Sequence, residues 1–153
     1  MECSPNDCPA GGDCSNRALQ TLSQGPLPLT FSGSSLVATT NLQAGAVLAQ
    51  YTGEVMTKET FKARLEGEYA QQDLSLHVFP LTEELVVDAT SKGSIIRFAG
   101  HSCLPTAEIS VWKLSGLDCL KVTAKKEIRA GEIVSLDLSP AMKVSSVCCA
   151  SSC

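Results

Sequence analysis

The sequence is poor in aromatic side chains, and it has neither a long apolar run nor a large excess of one charge. Aromatic residues make up only 5% of the 153 residues, so a site that needs several aromatic hydroxyls has few to use. No stretch approaches the roughly 20 apolar residues of a membrane-spanning helix, so no span is predicted. The N-terminal residues MECSPNDCPAGG lack the apolar core of a signal peptide, and we therefore expect an intracellular protein.

The charge balance is mildly acidic. Twelve Lys and Arg side chains oppose sixteen Asp and Glu side chains, which gives a net charge of −4. A protein of this charge lacks the broad basic surface that holds a polyanion, so direct nucleic-acid binding is not expected. A basic peptide is compatible with this charge.

Cysteine is the residue type whose placement is most informative. The chain has eight cysteines, and in a reducing compartment such a number suggests metal binding before disulfides. Two of them, Cys103 and Cys119, lie in the middle of the chain. The others lie near the two ends: Cys3, Cys8, Cys14, Cys148, Cys149 and Cys153.

The apolar pattern predicts a mostly β fold with one short helix. The helix is expected over residues 58–69, because Phe61, Leu65 and Tyr69 form one apolar stripe and Thr57 is a suitable N-cap. Residues 23–34 carry the Pro, Gly and Ser of a connecting loop. Predicted strands cover residues 46–51, 85–87, 107–111, 117–124 and 133–138.

Three internal segments carry recognisable motifs. Residues 33–55 contain a glycine loop and the motif Y-T-G-E, residues 86–103 contain D-A-T-S-K-G-S-I-I-R-F-A-G-H-S-C, and residues 128–138 read I-R-A-G-E-I-V-S-L-D-L. In this order they resemble the SET-domain family of S-adenosylmethionine-dependent protein-lysine methyltransferases, which includes the histone H3 methyltransferases. The cysteine-rich ends resemble the zinc-binding AWS and post-SET segments that flank those domains.

The resemblance implies a division of the chain and a particular fold. Residues 1–22 are expected to be a partial AWS-like segment, 23–139 a SET domain, and 140–153 a degenerate post-SET segment. The SET fold consists of small β-sheets with a pseudoknot. We therefore expect residues 97–103 and 132–138 to lie side by side, with one segment threaded past the other.

The resemblance also implies a binding site for S-adenosylmethionine. The family's second loop glycine falls on Ser35, and the asparagine of its N-H-S-C motif falls on Gly100. The serine adds a Cβ and restricts the backbone, and the glycine lacks the side chain with which the family's asparagine contacts the cofactor. The two changes therefore predict reduced affinity for the cofactor. Arg97 and His101 remain to contact the cofactor, and His101 is also expected to join the crossing segments by hydrogen bonds. The residues expected to line the site are Ser34, Ser35, Arg97, Phe98, Gly100 and His101.

The catalytic positions differ most from the family pattern. The family's last tyrosine falls on Leu138, the aromatic residue before it on Leu136, and a further tyrosine on Leu76 or His77. No catalytic side chain is retained at these positions, which predicts weak or absent activity, since losing one preorganised donor costs about 100- to 1000-fold in rate. Two alternatives stay open. One is an active enzyme that uses Tyr51 or Tyr69, and the other is a zinc-stabilised β interaction module without a cofactor.

Zinc, partner and location are also implied by the resemblance. The expected zinc ligands are Cys103, Cys148, Cys149 and Cys153, because the family joins its N-H-S-C cysteine to the post-SET cysteines. The expected partner is a histone tail or another basic peptide. The expected location is the nucleus, on chromosomes.

Overall fold

The computed structural model describes residues 8–9, 26–70 and 77–138. Within these ranges the chain is mostly β, as the pattern predicts, with one α-helix and one 3-10 helix. In chain order the strands are β1 Leu29–Ser32, β2 Ser35–Ala38, β3 Val47–Tyr51, β4 Glu54–Thr57, β5 Val78–Pro80, β6 Leu85–Asp88, β7 Gly100–His101, β8 Ala107–Leu114, β9 Leu117–Ala124 and β10 Ser135–Leu136.

Helix α1 covers Lys58–Glu66. It begins as predicted, because the Thr57 side chain accepts a hydrogen bond from the amide of Thr60 and so caps the first turn. It is shorter than predicted at the other end, where Gly67 forms the C-cap and its amide bonds the Ala63 carbonyl. Tyr69 therefore lies beyond the helix.

The strands form four small sheets. β1 and β2 make a hairpin, β3-β9-β8 and β4-β6-β5 make two antiparallel three-stranded sheets, and β7 pairs with β10 in parallel. Several contacts join parts of the chain that are far apart in sequence. The amide of Ala130, for example, donates a 2.9 Å hydrogen bond to Oδ1 of Asn41 across 89 residues.

Two apolar clusters form the core. The larger one lies among β2, β3, β6, β9 and β10 and includes Leu36, Leu48 and Val134, each with 0% of its surface exposed. The smaller one holds helix α1 against β5 and β6 through Phe61 and Tyr69, and Leu65 packs on its edge. The predicted apolar stripe of the helix is therefore core packing.

Gly53 lies in the connection between β3 and β4. A Cβ at this position would lie 2.5 Å from the carbonyl oxygen of Asp88. Real side chains do not make such a contact, so glycine is required for this close approach of two backbone segments. A register irregularity lies within β3, between Val47 and Ala49.

Two expectations about strands are wrong. Strand β1 lies inside residues 23–34, which the Pro, Gly and Ser content predicts as a loop. Its pairing with β2 supplies the hydrogen bonds that outweigh this local composition. The strand expected over 133–138 is reduced to Ser135–Leu136, because its parallel partner β7 has only two residues.

The described residues, Cys8 and Pro9 apart, fall within the expected SET segment 23–139. Apart from Cys8 and Pro9, the two cysteine-rich flanks lie outside the described residues. The domain boundaries between residues 22 and 23 and between residues 139 and 140 therefore stay predictions. Among the described ranges, no helix is both long and apolar enough to cross a membrane.

Candidate functional site

The segments expected to lie side by side do meet, through β7 and β10. Ser135 pairs with Gly100 and Leu136 with His101, and the amide of Ser102 donates a 3.0 Å hydrogen bond to the Leu136 carbonyl. Nδ1 of His101 accepts a 3.1 Å hydrogen bond from the Leu138 amide. His101 therefore joins the two segments, as predicted, and fixes the position of Leu138 against β7.

Leu136 and Leu138 belong to an apolar stripe on the last described strand. Val134 and Leu136 have 0% and 1% of their surfaces exposed, and Leu138 packs against the same core while staying partly exposed. The neighbouring Asp137 is exposed, as expected for strand alternation. The side chains of these leucines have no hydrogen-bonding group, and they lie at the two positions where the resemblance predicts the family's aromatic residues.

The β1–β2 hairpin brings the glycine loop to the residues around Arg97. Its turn contains Gly33, whose φ of +61° favours glycine, followed by Ser34. Strand β2 contacts the 3-10 helix Ile95–Phe98, and the ring of Phe31 lies 5.6 Å from that of Phe98. This contact therefore brings together the two groups of predicted cofactor residues, Ser34 and Ser35 in one group and Arg97, Phe98, Gly100 and His101 in the other.

Arg97 is held in place by one hydrogen bond and one aromatic contact. Its Nη1 donates a 2.8 Å hydrogen bond to the Ala89 carbonyl, and its guanidinium lies 4.6 Å from the centre of the Phe98 ring. Its Nε is buried and has no hydrogen-bond partner among the described residues. A buried donor without a partner is uncommon in folded proteins and makes this group a candidate for ligand contact.

His77 lies beside the same segment. Its ring is 6.0 Å from the Phe98 ring, edge to face, and its amide bonds the Thr90 hydroxyl. Burial lowers the pKa of His77, and the Arg97 cation lowers it further, although a hydrogen bond to the Arg97 backbone raises it in part. The imidazole is therefore neutral at pH 7. Leu76, the other candidate for this tyrosine position, lies outside the described residues.

Both tyrosines of the chain have engaged hydroxyls. Tyr69 donates a 2.9 Å hydrogen bond to Asp88, whose buried carboxylate also accepts from Arg64 at 3.2 Å. Tyr51 donates a 2.9 Å hydrogen bond to the His77 carbonyl and is only 2% exposed. Burial raises the pKa of the Tyr51 phenol and the nearby Asp88 carboxylate raises it further, so this hydroxyl stays protonated.

A groove of about 430 Å³ runs between β5 and β8. Phe79, Pro80, Ile109 and Val111 give it apolar walls, while its polar lining includes two acidic residues, Glu108 and Asp137, and one basic residue, Lys125. Among the described residues, β5 and β8 each pair with a strand on one side only. Their outer edges thus carry backbone groups that an extended peptide is able to pair with.

The predicted zinc site is only partly described. Cys103 Sγ lies 3.7 Å from Nε2 of His101. No group of three or more possible metal ligands occurs within residues 8–9, 26–70 and 77–138. The other expected ligands, Cys148, Cys149 and Cys153, lie outside these ranges.

Phe31 is the residue near this site that sequence reasoning does not find. It lies two residues before Gly33, in a segment expected to be a loop, and it has no counterpart among the motif residues. The one feature of the sequence that could have pointed to Phe31 is its residue type, since it is one of four phenylalanines in a chain with few aromatic residues.

The likeness to known proteins covers the part of the chain that holds the three motif segments. The sequence model of the family described as "SET domain" matches residues 33–137. The chain is 34% identical over 140 residues to "Histone-lysine N-methyltransferase ash1" of Drosophila melanogaster, covering 89% of this chain and 6% of the relative. It is 31% identical over 140 residues to "Histone-lysine N-methyltransferase SETD2" of Homo sapiens, covering 90% of this chain and 5% of the relative.

A plant relative shows the same likeness with greater coverage of its own length. "Histone-lysine N-methyltransferase ASHH3" of Arabidopsis thaliana is 29% identical over 130 residues, which is 83% of this chain and 36% of the relative. The chain thus spans only a small part of these curated relatives.

Proposed function

This chain belongs to the SET-domain family, and on that premise we propose that it is a histone-lysine methyltransferase relative in which methyl transfer is weak or absent. The observation that supports the proposal most directly is the pair of leucines at 136 and 138. Their register is well defined, because Leu136 pairs with His101 and the Leu138 amide bonds the His101 ring.

Methyl transfer to lysine requires a neutral amine that points along the line of the departing methyl group. In SET enzymes tyrosine hydroxyls and backbone carbonyls orient the amine. A leucine side chain has no hydrogen-bonding group, so an amine that reaches the partly exposed Leu138 lacks those partners. An unmade hydrogen bond in a dry site costs about 1–3 kcal/mol, and more for a charged group.

The remaining hydroxyls do not replace the missing ones. Tyr69 bonds the buried Asp88 carboxylate, which makes it a structural residue between the helix and β6. The Tyr51 hydroxyl donates a hydrogen bond to the His77 carbonyl, and Tyr51 is only 2% exposed, so an incoming amine has little access to it. The alternative of an active enzyme that relies on Tyr51 or Tyr69 is therefore the weaker one.

We also propose that residues 33–35 and 97–101 bind S-adenosylmethionine, which supplies the methyl group in this family. Two features suit such a ligand. The Nε of Arg97 is buried without a partner, and a Cβ built at Gly100 meets no atom within 4 Å, which leaves room beside β7. Ser35 in place of glycine is expected to make this binding weaker than in the family.

The proposed peptide partner is a basic segment such as a histone tail, bound in the groove between β5 and β8. Glu108 and Asp137 outnumber Lys125 in the lining, which favours a positively charged ligand. An extended peptide would pair with the outer edge of β8 and place apolar side chains against Ile109 and Val111. A nuclear, chromosome-associated location follows from such a partner.

The test is a radiometric methyl-transfer assay with histone H3 peptides. Wild type is expected to give no signal above background, while Leu138→Tyr combined with Leu136→Phe is expected to gain activity. Leu117→Tyr is the matched control, because it adds a tyrosine at the first residue of β9, which is 74% exposed.

Two results would count against the proposal. Robust turnover by wild type would show that the leucines do not prevent methyl transfer. A silent double variant that still binds S-adenosylmethionine in calorimetry would show that the cause of the loss lies elsewhere.

A further inference from the structure

The four phenylalanines of the chain divide into two environments. Phe61 and Phe79 are buried in the two core clusters, with 6% and 4% of their surfaces exposed. Phe31 and Phe98 are 49% and 43% exposed, yet they contact each other. Single exposed apolar residues are common on protein surfaces, whereas contiguous exposed apolar groups mark binding surfaces.

The Phe98 ring is held on several sides. The Phe31 ring lies 5.6 Å away at an interplanar angle of 60°, the His77 ring lies 6.0 Å away, and the Arg97 guanidinium lies 4.6 Å from its centre. Arg97 is itself fixed by its bond to the Ala89 carbonyl. The ring pair is therefore preorganised and would lose little freedom on binding a ligand.

The location of the pair limits what it is able to bind. Phe31 precedes the Gly33-Ser34 turn, and Phe98 lies two residues before Gly100. Both rings thus border the site proposed above for S-adenosylmethionine, whose one large planar group is its adenine base. Flat bases stack on exposed aromatic side chains, and each such contact contributes substantially to affinity.

We infer that Phe31 is a ligand-binding residue, and that its ring together with Phe98 forms the contact surface for the adenine base of the cofactor. The inference rests on the proposed cofactor site and adds a residue that the family motifs do not contain. It also gives a physical compensation for Ser35 and Gly100, since a stacking contact replaces part of the affinity that those positions lose.

The test is isothermal titration calorimetry with S-adenosylhomocysteine and, separately, with adenosine. The variants are Phe31→Ala, Phe31→Leu and Phe31→Tyr, and Val55→Ala is the control because Val55 is 58% exposed on β4, in a different sheet. Phe31→Ala and Phe31→Leu are each expected to weaken the binding of both ligands by about tenfold. The factor should be the same for the two ligands, because both carry the adenine base that the substitution affects. Phe31→Tyr and Val55→Ala should bind like wild type. Circular dichroism melting checks that each variant is folded.

The outcomes separate this inference from the proposal on which it rests. Wild-type binding that Phe31→Ala leaves unchanged would overturn the role of Phe31 while the cofactor site stands. Tighter binding by Phe31→Ala would also overturn it, since the ring would then be covering the site. Equal weakening by Phe31→Tyr and Phe31→Ala would exclude stacking as the cause. Absence of binding by folded wild type would overturn both the cofactor site and the role of Phe31.

Discussion

The amide of Leu138 donates a 3.1 Å hydrogen bond to Nδ1 of His101, across 37 residues of sequence. A histidine that the family pattern associates with the cofactor is thus also the residue that positions Leu138, the leucine expected at the family's last tyrosine. Substitutions at His101 therefore affect the fold and the site together, and stability has to be measured before activity is interpreted.

We expect His101→Ala to lower the free energy of unfolding by about 1–3 kcal/mol, because the Leu138 amide loses its acceptor. His101→Asn should recover part of this loss, since Asn Oδ1 lies close to where Nδ1 was. His101→Gln should not, because its amide reaches the position of Nε2. Urea unfolding of the three variants measures the difference, and equal losses for Asn and Gln would show that this hydrogen bond contributes little.

Two glycines form a matched pair for a second prediction. Gly53→Ala should be strongly destabilising, because its Cβ would lie 2.5 Å from the Asp88 carbonyl oxygen, which is backbone and has little freedom to move. Gly100→Ala should be tolerated, because nothing lies within 4 Å of its Cβ. Thermal melting should therefore show a large loss for the first variant and little change for the second. A similar melting temperature for both would mean that the β3–β4 connection is able to relax.

A third prediction concerns pH. Burial and the Arg97 cation lower the pKa of His77 in the folded protein, so below the ordinary value of 6.5 the unfolded chain binds the proton more readily. The contribution of His77 to stability is therefore complete above pH 6.5 and is lost as the pH falls through the folded-state pKa. His77→Gln should reduce the loss of stability between about pH 7.5 and about pH 5.5, measured by urea unfolding. Parallel pH profiles for wild type and variant would contradict this assignment.

A fourth prediction concerns zinc. If Cys103 joins the C-terminal cysteines in a structural site, protein prepared with reductant should contain about one zinc ion per chain, and a chelator should lower its melting temperature. Cys103→Ser should lose the metal. Cys119→Ala is the control, because Cys119 is a buried residue of β9 outside the expected ligand set. Retention of zinc by Cys103→Ser would remove Cys103 from the site.

The sequence predicts best where local chemistry decides the structure. The bounds of β9 are as expected, since alternating apolar residues follow the turn at Ser115 and Gly116, and α1 begins where Thr57 caps it. The strand β1 is missed because tertiary pairing, which local composition does not report, makes it a strand.

In the candidate site, too, some features are predictable from the sequence and others depend on tertiary packing. The resemblance to the SET family, which rests on the order of the motifs, predicts that residues 97–103 lie against residues 132–138. The contact between Phe31 and Phe98, and the acceptors of the Tyr51 and Tyr69 hydroxyls, depend on how separate segments pack in three dimensions. None of these contacts has a signature at fixed spacing in the sequence.

The parallel pairing of β7 with β10 has a consequence for biosynthesis. The Leu136 side chain enters the core only when β10 joins β7, and β10 leaves the ribosome after every other described strand. Until then the nascent chain holds an incomplete core whose apolar residues are available to chaperones and to other nascent chains. Folding that depends on contacts distant in sequence is slow, so we expect this last pairing to be a slow step in the folding of the domain.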